Sequence, residues 1–121
     1  MENIKIYTDG ACRGNPGKGG WGVYIIQEED PNMFFGGKLN TTNNEMELTA
    51  SIKGLEVFST SSKIDLYTDS KYVMDGITSW IHNWKNNGWK TANNKPVKNL
   101  DLWIELDKLN AFHEVSWYWV K

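Results

Sequence analysis

The chain has 121 residues, 40% hydrophobic and 23% charged, with a formal net charge of −2, a balance that suits one globular domain (1–121) around one modest core. Its one cysteine, Cys12, excludes an internal disulfide and fits a reducing compartment. No stretch approaches membrane-spanning length and Met1-Glu2-Asn3-Ile4-Lys5 shows no apolar run of leader length, so a cytoplasmic protein is expected. The segment Trp80–Asn99 carries Lys85, Lys90, Lys95 and Lys98 and no acid, so the remaining residues sum to −6. That asymmetry suits an anionic partner met on one surface, although charge alone equally describes a solvated lysine-rich loop.

In chain order, Ile4–Thr8 alternates apolar and polar residues and reads as a strand. Gly10–Gly22 holds six glycines and a proline and reads as a loop with tight turns. Gly22–Gln27 and Met33–Leu39 read as an antiparallel pair turning at Asp30-Pro31-Asn32. A helix is expected from Thr42, with Thr42 and Glu45 at capping-box spacing and Leu48, Ile52, Leu55 and Phe58 on one face. Ile64–Thr68 reads as a strand, Ser70–Gly76 and Ser79–Asn86 as short helices, Trp89–Lys98 as irregular, Leu100–Ala111 as a helix and Val115–Val120 as a last strand. A meander followed by strand–helix–strand crossovers implies a mixed α/β sheet flanked by helices.

Two strands echo each other. Ile4-Lys5-Ile6-Tyr7-Thr8-Asp9-Gly10 is repeated as Ile64-Asp65-Leu66-Tyr67-Thr68-Asp69-Ser70. If they lie parallel and adjacent, Asp9 and Asp69 stand roughly 5 Å apart at their carboxyl ends, where open α/β sheets bind ligands. Glu47, near the start of the intervening helix, can join them, because Ala50, Ser51 and Gly54 let that helix approach the sheet closely. Three converging carboxylates require either a bound proton or cations. An all-oxygen set selects Mg²⁺ or Mn²⁺ over Zn²⁺, and a paired-carboxylate site of this kind suits phosphodiester hydrolysis, one ion activating water and the other stabilising the leaving oxygen. Taken singly, each acid is more simply a turn, cap or helix-dipole residue; the duplicated register tips the balance. His82 and His113 stand alone as structural or exposed residues. Gly17-Lys18-Gly19-Gly20-Trp21-Gly22 matches a dinucleotide-binding fingerprint in letters but precedes a strand, so that reading fails on context.

The stretches Tyr7–Cys12, Gly14–Gly17, Thr41–Leu48, Thr68–Val73, Gly76–Trp84, Gly88–Ala92 and Lys95–Trp103 resemble type 1 ribonuclease H, in order and without large gaps, and look like the bacterial subclass with a basic protrusion (about 80–99 here). The resemblance implies a ribonuclease H-like fold with a five-stranded mixed sheet. It implies endonucleolytic hydrolysis of the RNA strand of RNA–DNA hybrids with two Mg²⁺ or Mn²⁺ ions, giving 5′-phosphate and 3′-hydroxyl ends. It makes Asp9, Glu47 and Asp69 the catalytic, metal-binding acids. It places Cys12, Asn15, Asn43 and Asn44 along the hybrid's minor groove, where 2′-hydroxyls can be sensed. It gives Thr42 and Asn99 to a DNA phosphate, and Trp80, Trp84, Lys85, Lys90 and the later lysines to the grip on the DNA strand. The two tryptophans can equally pack the protrusion. Asn40 and Glu45 stand where the bacterial enzymes usually carry Arg, and Asn86-Asn87 makes the protrusion less basic, so weaker substrate affinity is expected. The family continues past Trp119-Val120-Lys121 into a Gly-His loop and a final helix that carries a fourth acid and covers one sheet face. Without that helix an apolar face is expected to be exposed, which invites a homodimer or swapped dimer. Two further readings stay open on the sequence: a hybrid-binding module with little activity, and an incomplete domain active only as a dimer or with a complementing segment.

Overall fold

The computed structural model describes residues 4–121; Met1 to Asn3, part of the segment read for a leader, lie outside the described residues. The strands are β1 (Ile4–Cys12), β2 (Gly17–Gln27), β3 (Asp30–Thr41), β4 (Lys63–Thr68) and β5 (Glu114–Trp119), and the helices α1 (Asn43–Leu55), α2 (Lys71–Asp75), α3 (Ile81–Asn86) and α4 (Leu100–Phe112). One mixed sheet runs in the order β3-β2-β1-β4-β5. The meander β1–β2–β3 is antiparallel, and β4 joins β1, and β5 joins β4, in parallel. None of the helices among the described residues is long and apolar enough to cross a membrane.

Alternation decides the two faces. Ile4, Ile6, Val23 and Ile25 are buried beneath α1, which contributes Leu48, Ile52 and Leu55, and Ile64 and Leu66 of β4 join the same core, to which α4 adds Trp103 and Leu106. The opposite face is open. Tyr24, Tyr7, Tyr67 and Tyr118 stand in one cross-strand row, with ring centroids of Tyr7–Tyr67 and Tyr67–Tyr118 at 4.7 and 4.9 Å, and Met33 continues the row on β3. The bare face is therefore aromatic, with polar hydroxyls at the ring tips.

Three readings need correction. The glycine-rich stretch is mostly strand: β1 runs on to Cys12 and β2 begins at Gly17, leaving only a short bend, and Cys12 pairs with Gly19 and Gly10 with Trp21. Glycines there serve close approach. A Cβ on Gly10 would lie 2.5 Å from the Glu47 nitrogen. The hairpin turns at Glu28-Glu29, not at Asp30-Pro31-Asn32, because Gln27 pairs with Asp30; Pro31 is tolerated within β3 because that strand is the sheet edge. The two short helices do not break at Thr78, since a wide π-type turn, Gly76–Trp80, joins α2 to α3. The irregular stretch also contains a tight reversal, with Lys90 bridged to Pro96 and Thr91 N donating to Lys95 O at 2.8 Å.

Two backbone positions set opposite expectations for stability. Glu28 and Glu29 both have positive φ (51° and 66°), the conformation of a type I′ turn, which favours Asn followed by Gly. The double substitution Glu28→Asn with Glu29→Gly removes left-handed strain and should raise stability by roughly 1 kcal/mol, read as an increase of about 4 °C in Tm by circular dichroism. Gly76 is the reverse case, because a Cβ there would fall 2.0 Å from the Trp103 ring. Gly76→Ala overpacks that contact and should cost roughly 2–3 kcal/mol in urea denaturation.

Candidate active site

The echoed strands are in register as their sequences imply: Ile4 pairs with Ile64 and Thr8 with Thr68, so Asp9 and Asp69 follow side by side at the carboxyl ends. Glu47 reaches them from α1. Thr42 caps that helix by accepting from Glu45 N (3.1 Å). The expected return bond of a capping box is replaced by a different one, because the Glu45 carboxylate takes Thr41 Oγ1 (2.7 Å) and Lys38 Nζ, tying β3 to the first turn of the helix. Besides Gly10, Gly54 permits the approach, since a Cβ there would lie 2.9 Å from Ile6.

Asp9, Glu47 and Asp69 each offer a carboxylate oxygen within 4.8 Å of the others. Burial is the main cause that pushes the Glu47 carboxyl up to about 8; the Asp69 charge and a hydrogen bond with Asp69 add to it, then the Asp9 charge, while the Gly10 amide opposes. Asp9 is raised too, first by burial and then by the Asp69 charge. Glu47 Oε1 is buried without a hydrogen-bond partner among the described residues. Three converging carboxylates, one of them buried and carrying an unpartnered oxygen, with no nitrogen or sulfur donor in the trio, fit a hard divalent cation.

The remaining candidates fall into two clusters. The first surrounds the start of α1. Cys12 Sγ donates to Thr41 O (3.1 Å) and Gly17 O (3.4 Å), and Asn15 Oδ1 accepts from Asn43 N (3.4 Å), so Cys12, Asn15, Thr42, Asn43 and the exposed Asn44 share one ridge. The second cluster is built on α2–α4. Asn99, left-handed at φ 58°, donates to the Tyr72 hydroxyl (3.2 Å), which also accepts from Trp103 Nε1 (3.0 Å). Trp84 packs edge-on against Trp103 at 5.2 Å, whereas Trp80, beside Tyr72, keeps 40% of its surface exposed. Trp84 is therefore a packing residue and Trp80 presents a free face. Trp80, Trp84, Asn87 and Lys90 line an open groove of about 440 Å³. Lys85 is partly committed, paired with Asp107 at 3.1 Å. No hydrogen bond links Thr42 to Asn99 among the described residues.

Sequence reasoning missed two supports. Trp119 Nε1 donates to Asp69 O (3.1 Å), fastening the end of β5 to the acid, and Lys71 lies 4.9 Å over the Trp119 ring. Ser70, next to Asp69, caps α2 through Val73 N (3.1 Å) and donates its own N–H to Thr68 Oγ1 (3.1 Å). The Asp-Ser pair signalled the cap; nothing local signalled Trp119, whose partner is 50 residues away.

Comparison with known proteins bears on this site. The family model described as RNase H matches residues 1–121. A ribonuclease H of Ruthia magnifica subsp. Calyptogena magnifica is 60% identical over 122 residues, covering all of this chain and 84% of that protein. One of Ehrlichia chaffeensis is 55% identical over 121 residues, covering all of this chain and 83% of the relative. Among solved structures, LC9-RNase H1, a type 1 RNase H with the type 2 active-site motif, superposes with a TM-score of 0.86 at 31% identity over 98% of this chain, which spans 62% of that one. LC11-RNase H1, solved in complex with an RNA/DNA hybrid, shares the fold with a TM-score of 0.71 at 23% identity over 98% of this chain and 85% of its own. By the match along its whole length, the chain belongs to the RNase H family, endoribonucleases that cleave the RNA strand of RNA–DNA hybrids and use divalent metal.

Proposed function

We propose that this chain hydrolyses the RNA strand of RNA–DNA hybrids internally at Asp9, Glu47 and Asp69, with two Mg²⁺ or Mn²⁺ ions held by these carboxylates, and leaves 5′-phosphate and 3′-hydroxyl ends. The observation that carries the reading is the convergence of three carboxylates at the ends of paired parallel strands, one of them the buried Glu47, whose Oε1 has no hydrogen-bond partner among the described residues. When bound, the metals lower the pKa of attacking water and stabilise the departing oxygen. The protein's own part is positional. Parallel pairing sets Asp9 beside Asp69, Gly10 lets Glu47 descend between them, and the Trp119 indole holds the Asp69 backbone.

The same reading assigns the ridge of Cys12, Asn15, Asn43 and Asn44 to the hybrid's minor groove and its 2′-hydroxyls, and Thr42 and Asn99 to DNA phosphates. Trp80, Lys90 and, once released from Asp107, Lys85 take the DNA strand, with Trp84 bracing Trp80 from behind. This is the basic protrusion (about 80–99) of the bacterial subclass. The hybrid seen with LC11-RNase H1 supports the substrate. All three acids come from one chain, so the reading needs no second copy.

Strand choice and product ends test the proposal. A hybrid labelled on either strand, with double-stranded RNA and DNA as controls, should yield fragments of the RNA strand alone, and their 3′ ends should be extendable by a polymerase. Fragments ending in 2′,3′-cyclic phosphate, or cutting of the DNA strand, would contradict it.

A further inference from the structure

The acidic site is continuous with a trough on the open sheet face that the proposed function leaves unused. Asp9 pairs with Gly22, and Gly22 with Phe35, so the three positions form one cross-strand row, their side chains on the face away from α1. Gly22 contributes no side chain. The result is a channel of about 310 Å³, floored by the backbone of Gly20 and Gly22, with Asp9 and Ala11 on one wall and Phe35 on the other. Phe35 is 81% exposed, the most exposed large hydrophobic side chain among the described residues. Its neighbour Phe34 faces the other way and packs against Trp21 at 5.9 Å, so the exposure of Phe35 is a property of its face rather than of a frayed strand.

We infer that this trough is a subsite for one ribose of the RNA strand, the sugar next to the phosphate being cut, with the Phe35 ring packed against it. The inference rests on the function proposed above. Asp9 fixes where the scissile phosphate sits, and two strand spacings, roughly 10 Å, separate the Asp9 and Phe35 backbones. The Phe35 ring on one wall and a phosphate at the carboxylate on the other leave a gap of about one sugar. An apolar ring against an uncharged glycine floor suits a ribose face, while the charged phosphates stay with the metal-binding acids.

Gly22 supplies a clean probe. A Cβ added there meets nothing within 4 Å and its φ is unstrained, so Gly22→Leu fills the trough without disturbing the fold. Phe35→Ala empties the opposite wall, and Phe35→Trp keeps it. The test is the affinity of a fluorescently labelled RNA–DNA hybrid, by anisotropy, for the Asp9→Asn chain alone and with each of these changes added. Phe35→Ala and Gly22→Leu should each weaken binding by roughly tenfold, as expected for loss of one aromatic contact, and Phe35→Trp should bind as the parent does. Equal affinities for all four chains would overturn the subsite. A parent that binds no hybrid would overturn the subsite and the proposed function together. Phe35-dependent binding in a protein whose unmodified chain cuts nothing would overturn the function alone.

Discussion

Asp9→Asn is expected to lower hybrid cleavage by roughly a thousandfold or more while hybrid binding is kept or improved. Both effects are electrostatic. Asp9 stands at the end of β1 beside Asp69, and its carboxylate is one of the three that converge within 4.8 Å. Asn preserves its shape but removes the charge that a hard cation needs, and metal assistance is worth several kcal/mol of transition-state stabilisation, about tenfold in rate for each 1.4 kcal/mol. Binding has the opposite sign, because one negative charge fewer faces the phosphates of the substrate. Single-turnover cleavage and anisotropy on the same preparation check both halves. Retained cleavage would remove Asp9 from the site, and lost binding with intact folding would mean that the charge repulsion has been misjudged.

The second large effect is on stability. In the metal-free chain Glu47 is raised from 4.5 to about 8, chiefly by burial and then by Asp69 and Asp9. Between those two values the folded chain holds a proton that the unfolded chain has released. The contribution of neutral Glu47 is thus complete below about 4.5 and is lost as pH rises through about 8. With chelator present, stability should fall from pH 5 to pH 8. Glu47→Gln, which never ionises, should escape that fall and be more stable than the parent at pH 8 by roughly 2–4 kcal/mol. Mg²⁺ should recover the loss in the parent and do little for the variant, since ion binding to the folded state is linked to release of that proton. Urea denaturation of both chains at pH 5 and pH 8, with chelator or Mg²⁺, reads this directly. Every other titrating group is common to both, so the difference isolates Glu47. Parallel pH profiles for the two chains would contradict it.

Much of the site was legible in the sequence because it is written twice. The repeat of Tyr-Thr-Asp at the ends of two apolar runs implied parallel register, and α1 between them satisfied the crossover such a pair requires. Glu47 followed from the small residues on its helix. The lost details all depend on partners distant in sequence. The six glycines of Gly10–Gly22 read locally as turns, yet Gly10 is there for the α1 backbone, and Gly76, outside that run, is there for the Trp103 ring. The Glu28-Glu29 turn carries no turn residues at all, so a neighbouring Asp-Pro-Asn took the signal even though the edge position of β3 lets a proline sit within a strand. Trp84 and Trp80 look equivalent one helical turn apart, and only the arrival of α4, with Trp103, partly covers the first and leaves the second more exposed. Phe35 escaped notice because exposure of one residue in an alternating strand depends on which face of the sheet receives the helices.

The measurement closest to the central claim is a single time course of an RNA-labelled hybrid with the purified chain, started without metal, then given Mg²⁺, then excess chelator. The account predicts no cutting, then cutting of the RNA strand, then arrest. Cutting that proceeds unchanged in chelator would contradict a metal-dependent site at Asp9, Glu47 and Asp69.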